Sequence, residues 1–520
     1  MAPVSARLGS IAAPLAWRDR FVPLLLGAVT LAFHLLTTGG YGYFRDELYY
    51  LANGEHVAFG YVDHPPLVGV LAALIRSVFG TSLFAIRLFP ALAGAASVWL
   101  TADMTRELGG KRFAQALAGL AAAFAPVWVS LFSILSMNAF DVLFWTACFS
   151  LVIRIIKTGD QRLWLAFGLV AGLGLENKLS VLFLCFGIGV GLVLGRRWDD
   201  LRSRWFWLGV MAAGLFLLPY LAWQRAHGWP LFEFMRNARE LKNVALSPWR
   251  FISEQVLLMG PVSAPIWLVG LAFLLAAPQM LPFRVLGSSY VVVLLTFIVS
   301  GNAKPYYLAP AYAPLLAGGA IFFERLGGPR GGKMIRGAAI ALLAVGGLIT
   351  LPLAKPLLSE DDFVRYSAAL GLEPSAGERH AMGRLPQFFA DMHGWPELAR
   401  TVAEVFHALP PDWQAKTCVF GQNYGQAGAI DLFGPRYGLP KAISAHNSYW
   451  IWGPGECRGE VVLVIGGDRA TLETMFTTVE LGTTYTCLDC MPYENDKPIW
   501  IARGLHMPIQ ELWPRLRRFI

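Results

Sequence analysis

Five short stretches of this sequence set acids, amides and cations beside long apolar runs. The first is Tyr41–Tyr50, where Arg45 directly precedes Asp46 and Glu47. Asp63 and His64 stand before Pro65 and Pro66, and Asn138 and Asp141 open an apolar segment. Glu176, Asn177 and Lys178 interrupt another, and Asn302, Lys304, Tyr306 and Tyr307 introduce a third. Carboxylates and cations in such company suit transfer from a phosphate leaving group: a carboxylate takes the proton of an attacking hydroxyl, and cations hold the phosphate. Asp46 or Glu47 could be that base. Arg45, Lys178 and Lys304 could hold phosphate, arginine through a bidentate grip and lysine as a point charge. A neighbouring cation would also keep the base ionised. Each group taken alone is equally well explained as a solvated loop residue or a cap. Asp141, for instance, would sit favourably at the positive end of its own helix.

The elements that must position these groups are membrane helices. The chain has 520 residues, 55% of them hydrophobic and 15% charged, a balance outside that of a soluble globular protein. A polytopic α-helical membrane protein is expected. The net charge of +8 follows from Lys and Arg gathered in cytoplasmic loops, and no basic–aromatic recognition motif accompanies it, so nucleic acid is not a partner. The run Phe21–Leu36 is long and lacks an Ala-x-Ala-like cleavage site, so it reads as a retained helix, not a signal peptide.

At roughly 20 apolar residues per span, eleven transmembrane helices fall near 21–38, 83–102, 113–131, 138–155, 163–176, 179–195, 206–224, 255–276, 284–300, 306–324 and 335–354. The short basic loops 103–112, 154–162, 195–205 and 324–336 then share one side with Arg7, Arg18 and Arg20. That side is cytoplasmic. Counting Leu67–Phe79 as a further span would reverse this, so it reads as an interfacial helix begun by Pro65–Pro66. The first external loop is then about 39–82, and the five polar stretches all face outward at one membrane level. Polar groups are expensive there, which makes their accumulation a sign of function.

Beyond residue 355 charges, Gly and Pro become frequent and no further span occurs. Strands at Thr417–Gly421, Ala442–Ala445 and Val461–Gly466 and helices at Tyr424–Phe433 and Arg469–Thr477 suggest a soluble external α/β domain. The expected division is thus 1–354 and 355–520. Cys418, Cys457, Cys487 and Cys490 lie in an oxidising compartment, where one or two disulfides are expected, while Cys148 and Cys185 read as core residues. Residues Gly327–Gly332 read as a flexible linker. At the predicted strand ends, Asn423, His446, Asn447, Tyr449 and Trp450 are of the types that meet sugar hydroxyls and faces. A capped α/β unit with packed aromatics explains them as well.

The order of several motifs carries a resemblance. Asp46–Glu47 in the first external loop, His64-Pro-Pro-Leu67, Arg87-Leu-Phe-Pro90, Asp141 opening its helix and Lys304-Pro-Tyr-Tyr307 together resemble the family 39 glycosyltransferases of the GT-C fold. That family includes protein O-mannosyltransferases, the lipid A aminoarabinose transferase and galacturonic acid transferases. The resemblance covers roughly residues 20–354. It implies inverting transfer from a polyprenyl-phosphate sugar to a lipid, glycan or protein acceptor at the outer face of a bacterial cytoplasmic membrane. By position it makes Asp46 the base, Glu47 its neighbour and Asp141 a second acid. Asp63 and His64 replace an acid and a lysine of the aminoarabinose transferase, so that cation depends on protonation.

The rival reading is a transporter or flippase of a lipid-linked sugar. Such proteins tend to place their sites near the bilayer midplane and to carry repeated halves, neither of which is seen here. A third, a non-catalytic assembly or sensor protein, needs far fewer spans. No cofactor is expected and no metal site is spelled out, though Asp46, Asp63 and Asp141 could gather a divalent ion.

Overall fold

A computed structural model describes residues 20–326, 331–374 and 377–520. Arg7, Arg18 and residues 327–330 of the expected linker lie outside the described residues. Each of the eleven segments expected as spans is helical, but they differ in kind. Among the described residues, six helices are long and apolar enough to cross a membrane: Leu83–Glu107, Met137–Thr158, Arg204–Ala226, Pro278–Ser300, Pro305–Arg325 and Gly331–Ala354. Phe21–Leu36, Leu163–Asn177 and Val181–Leu194 are apolar but shorter. The span expected at 255–276 is instead a pair, Pro248–Met259 and Pro261–Ala276, bent by 98°. Gly260 between them has φ 87°, and Pro261 has no N–H with which to continue the ladder. The segment expected at 113–131 is likewise broken, into Arg112–Ala123 and Pro126–Leu131. Eleven is therefore a number of apolar helical segments and not of full-length spans.

Burial divides these helices by place. The apolar windows of Arg204–Ala226 and Gly331–Ala354 are only 17% buried, and Met211, Leu215 and Leu348 on them are more than half exposed. Apolar surface on that scale fits contact with lipid. Pro305–Arg325 is 78% buried and lies at the centre. Small residues admit it: a Cβ on Gly319 would stand 1.8 Å from the Ile266 carbonyl oxygen, and one on Gly270 1.9 Å from that of Leu315.

The helices that carry or flank the first two polar stretches are α1 (Phe21–Leu36), α2 (Arg45–Glu55), α3 (Leu67–Val78) and α4 (Leu83–Glu107). As expected, α3 begins behind Pro65–Pro66. The C-terminal part holds a five-stranded sheet of β1 (Thr417–Gly421), β2 (Ala442–Ile443), β3 (Val461–Ile465), β4 (Phe476–Tyr485) and β5 (Lys497–Leu505), ordered β2-β1-β3-β5-β4. The first three are parallel, while β5 runs antiparallel to both β3 and β4. β1 and β3 fall where expected. β2 is shorter, and the helix expected at Arg469–Thr477 ends at Glu473 because β4 begins at Phe476. β4 and β5 had no clear sequence signal: β4 is a mostly exposed edge strand whose register shifts between Leu481 and Thr483, so its alternation is broken.

The expected division at residue 355 does not divide the core. Leu48, Tyr49 and Ala52 of α2 pack in one cluster with Val419, Ile430 and Leu463 of the α/β layers. The approach is close, since a Cβ on Gly428 would stand 2.9 Å from the Cβ of Leu48. The α/β unit is thus completed by a helix from the first loop.

Both cysteine pairs are joined, Cys418 to Cys457 and Cys487 to Cys490, while Cys148 and Cys185 are free. The first closes a loop of 39 residues between β1 and the approach to β3. Replacing Cys418 and Cys457 together by alanine is expected to destabilise the α/β unit by about 4 kcal/mol on the chain-entropy scale. The measurement is the denaturation midpoint of the purified protein, and the same change at Cys487 and Cys490, which closes a much shorter loop, should lower it less.

Candidate active site

The polar stretch that opens α2 is anchored by a buried ion pair. Glu47 is 0% and Arg87 4% exposed. Arg87 Nε donates to Glu47 Oε1 at 3.0 Å and Nη2 to Oε2 at 2.8 Å, a bidentate grip. The other lone pairs of the carboxylate are filled by the Phe44 N–H (2.9 Å) and the Leu135 N–H (2.9 Å). Arg87 also donates to the carbonyl oxygens of Thr38 (3.0 Å) and Gly42 (2.8 Å). The pair therefore joins the start of α2, the end of the first apolar helix, α4 and the turn before Met137. Four donors occupy the oxygens of Glu47, the residue expected beside the base.

Asp46, one residue earlier, points elsewhere. Its side chain is 34% exposed, and its Oδ1 accepts the Tyr424 hydroxyl at 2.8 Å. No other hydrogen bond reaches it among the described residues. Asp46 is near enough to Asp63, Tyr50 and Lys304 for its charge to bear on their ionisation. Tyr424 comes from the helix Tyr424–Phe433, so the surroundings of Asp46 are built by two distant parts of the chain. Arg45, expected as a phosphate ligand, has a side chain only 12% exposed. It lies over the rings of Tyr424 (5.4 Å) and Tyr493 (5.9 Å), 3.9 Å from Asp391, and donates to the Tyr493 hydroxyl. Burial pushes the Asp391 carboxyl above its usual range, and Arg45 works against that shift.

Asp141 and Lys178 meet. Asp141 is 1% exposed; its Oδ1 accepts the Ser180 hydroxyl at 2.6 Å, and Oδ2 lies 3.6 Å from Lys178 Nζ. Lys178 also donates to Asn138 Oδ1 at 2.7 Å and stands 4.5 Å over the ring of Tyr307. Asp141, expected as a second acid of the active site, is thus paired with the Lys178 ammonium. Tyr306 packs on Tyr307, with ring centres 4.8 Å apart. Lys304 donates to Glu378 at 2.8 Å, and Lys242 lies 3.3 Å from the same oxygen. Burial opposes ionisation of Glu378, but His380, Lys242 and Lys304 hold it well below the usual carboxylate range. Burial likewise works against the charge of Lys304, and Glu378 more than restores it.

Asp63 accepts the Tyr49 hydroxyl at 2.9 Å, and burial raises its pKa. His64, expected as a phosphate ligand, is 1% exposed. Its Nδ1 engages the Pro65 carbonyl oxygen at 2.8 Å and its Nε2 the Asn53 amide at 2.9 Å, so no ring nitrogen is left for substrate.

The residues expected to bind an acceptor do not form one surface. Tyr449 is buried and donates to Asp431 (2.7 Å), and Trp450 donates to the Trp513 carbonyl oxygen (2.9 Å). Asn447, at φ 48°, accepts the Ile520 N–H at 2.9 Å. Packing of the α/β layers uses all three. Asn423 caps the helix Tyr424–Phe433 and donates to Glu494 at 2.7 Å. His446 stacks on Tyr424 at 4.7 Å, and burial pushes its pKa down to about 3, so it is neutral. These last two do line a cavity next to Arg45.

Sequence reading missed Lys242, Glu378, Asp391 and Tyr493, which stand in polar stretches without a motif. Arg87 lay within a quoted motif and Tyr424 at the head of an expected helix, but their partners are far away in the chain. Among the described residues, no three His, Cys, Asp or Glu side chains are grouped so as to hold a metal ion. Asp46, Asp63 and Asp141 therefore form no such set.

Residues 63–223 match the model of the dolichyl-phosphate-mannose-protein mannosyltransferase family. No curated protein matches the chain. The fold is similar to that of ArnT from Cupriavidus metallidurans bound to undecaprenyl phosphate: the TM-score is 0.62 at 15% identity, over 92% of this chain and 97% of that one. The apo form of the same protein gives the same values. The S. cerevisiae protein O-mannosyltransferase Pmt1-Pmt2 complex bound to the sugar donor is a weaker likeness, with a TM-score of 0.34 at 19% identity over 44% of this chain and 36% of that one. The resemblance to GT-C glycosyltransferases is thus borne out by a family model and by the fold.

The ion pair generates a prediction. Glu47→Gln leaves the Arg87 guanidinium buried without a counter-charge and is expected to destabilise the protein by about 3–5 kcal/mol. Asp46→Asn, at a partly exposed position, should leave the denaturation midpoint nearly unchanged. A Glu47→Gln protein as stable as the parent would remove the anchoring role.

Proposed function

We propose that the chain is an inverting glycosyltransferase that moves a sugar from a polyprenyl-phosphate donor to an acceptor hydroxyl at the outer face of a bacterial cytoplasmic membrane. The observation that carries this reading is the contrast between two adjacent carboxylates. Glu47 is sealed by four donors, whereas Asp46 keeps one oxygen free and a third of its side chain open. A general base must reach the proton it removes, and of the two only Asp46 can.

In the proposed step Asp46 takes the proton of the acceptor hydroxyl as its oxygen attacks the anomeric carbon from the face opposite the phosphate. The bond from that carbon to the phosphate oxygen breaks, its electron pair leaves with the phosphate, and the configuration inverts. Lys178, held by Asp141 and Asn138, and Lys304 supply positive charge to the departing phosphate. Tyr306 and Tyr307 flank that position on the Lys304 segment. The acceptor hydroxyl belongs to a lipid, a glycan or a protein.

Support for the lipid-phosphate donor comes from the family model, whose name states a dolichyl-phosphate-mannose donor, and from the fold shared with a protein crystallised with undecaprenyl phosphate. The external orientation rests on the basic loops. The division of labour between the helices and the C-terminal α/β unit is part of the same proposal, with α2 shared by both.

The test is transfer of a labelled sugar from lipid phosphate to acceptor in membranes carrying the protein. Asp46→Asn is expected to lower the rate by about 10²–10⁴-fold, the usual scale for a general base, with expression and midpoint unchanged. Undiminished transfer would sink the assignment. Protein that carried the lipid-linked sugar across vesicles without ever transferring it would favour the transporter reading instead.

A further inference from the structure

A cavity of about 510 Å³ adjoins the proposed base and takes no part in the step above. Arg45 and Tyr424 line it, and the Tyr424 hydroxyl is the group hydrogen-bonded to Asp46. The remaining wall is assembled from stretches far apart in sequence and is strongly basic. Lys242, Lys497, Arg517 and Arg518 join Arg45 there, and Glu378 is the one carboxylate side chain among the described residues that line it.

These charges are unevenly matched. Arg45 faces Asp391 at 3.9 Å, and Arg517 faces Glu233 at 3.1 Å. Glu378 is shared between Lys242 and Lys304. Lys497 and Arg518 have no carboxylate within ion-pair distance among the described residues. Cations left unmatched in a concave site focus a positive potential and draw in anions. Guanidinium and ammonium groups together suit the oxygens of phosphate or carboxylate.

We propose that this cavity binds an anionic group of the acceptor. The acceptor would then carry phosphate or carboxylate close to the hydroxyl that receives the sugar, and the bound anion would orient that hydroxyl toward Asp46. This rests on the reading of Asp46 as base. It assigns the acceptor's charge to cations other than the two, Lys178 and Lys304, assigned to the donor phosphate.

The experiment uses the full chain in nanodiscs of uncharged phosphatidylcholine, with inorganic pyrophosphate and undecaprenyl phosphate as separate probes. The Lys497→Gln, Arg518→Gln double variant is expected to bind pyrophosphate about tenfold or more weakly, the scale of a lost charged hydrogen bond. Its affinity for undecaprenyl phosphate and its denaturation midpoint should stay as in the parent. Arg518→Lys keeps the charge and should keep most of the pyrophosphate binding. Unchanged pyrophosphate binding by the double variant would overturn the proposal. Equal losses for both probes would overturn it too, by assigning the cavity to the donor. Asp46→Asn should still bind pyrophosphate, so failure of the base assignment and failure of the cavity assignment give different results.

Discussion

The buried pair of Glu47 and Arg87 is the constraint on which the rest depends. Two charges taken out of water carry a desolvation cost that is offset only when geometry is good and the remaining hydrogen-bonding capacity is met. Here the carboxylate receives two guanidinium donors and two backbone N–H groups, and the guanidinium reaches two carbonyl oxygens as well. A network so fully satisfied has one low-energy arrangement, because any slip of α2 would leave a buried charge or carbonyl unpartnered. The direction in which Asp46 points follows from that arrangement. On a helix, the neighbour of a residue sealed against the bundle projects about 100° away.

What Asp46 meets there is supplied by the α/β unit. Leu48, Tyr49 and Ala52 bury against the helix Tyr424–Phe433 and the strands behind it. Glycines at 425 and 428 set the approach, since side chains there would collide with Arg45 and Leu48. One short helix is thus held from opposite sides, by an ion pair toward the membrane helices and by apolar packing toward the sheet. The polar residues that surround the proposed base come from both.

The cations divide in a similar way. Lys178 is fixed by groups at the mouths of the helices, Asp141, Asn138 and the Tyr307 ring. Lys242 and Lys304 meet across Glu378, a residue of the C-terminal part. The Glu378 carboxylate and the Lys304 ammonium each favour the other's charged form despite burial, so positive charge is maintained where water is scarce. Asp391 and Tyr493 do the same for Arg45.

Composition and periodicity by themselves determined the class of this protein: apolar runs of membrane length, basic loops alternating with polar ones, and a change to mixed polarity after residue 355. These are local properties, and helices form from local hydrogen bonds wherever the apolar run lies. Asp46, Lys178 and Lys304 were legible as candidates because charge beside an apolar run is costly whatever the fold. The tertiary structure alone decided which acid is sealed and which is open. Asp46 and Glu47 are adjacent and alike in type, and only the arrival of Arg87 and of the Leu135 amide distinguishes them. It alone also showed that Gly260–Pro261 bends a segment of span length, that His64 has both ring nitrogens occupied, and that a helix of the first loop completes a core formed mainly by residues beyond 395. Each of these turns on contacts between residues far apart in the chain, which no local pattern records.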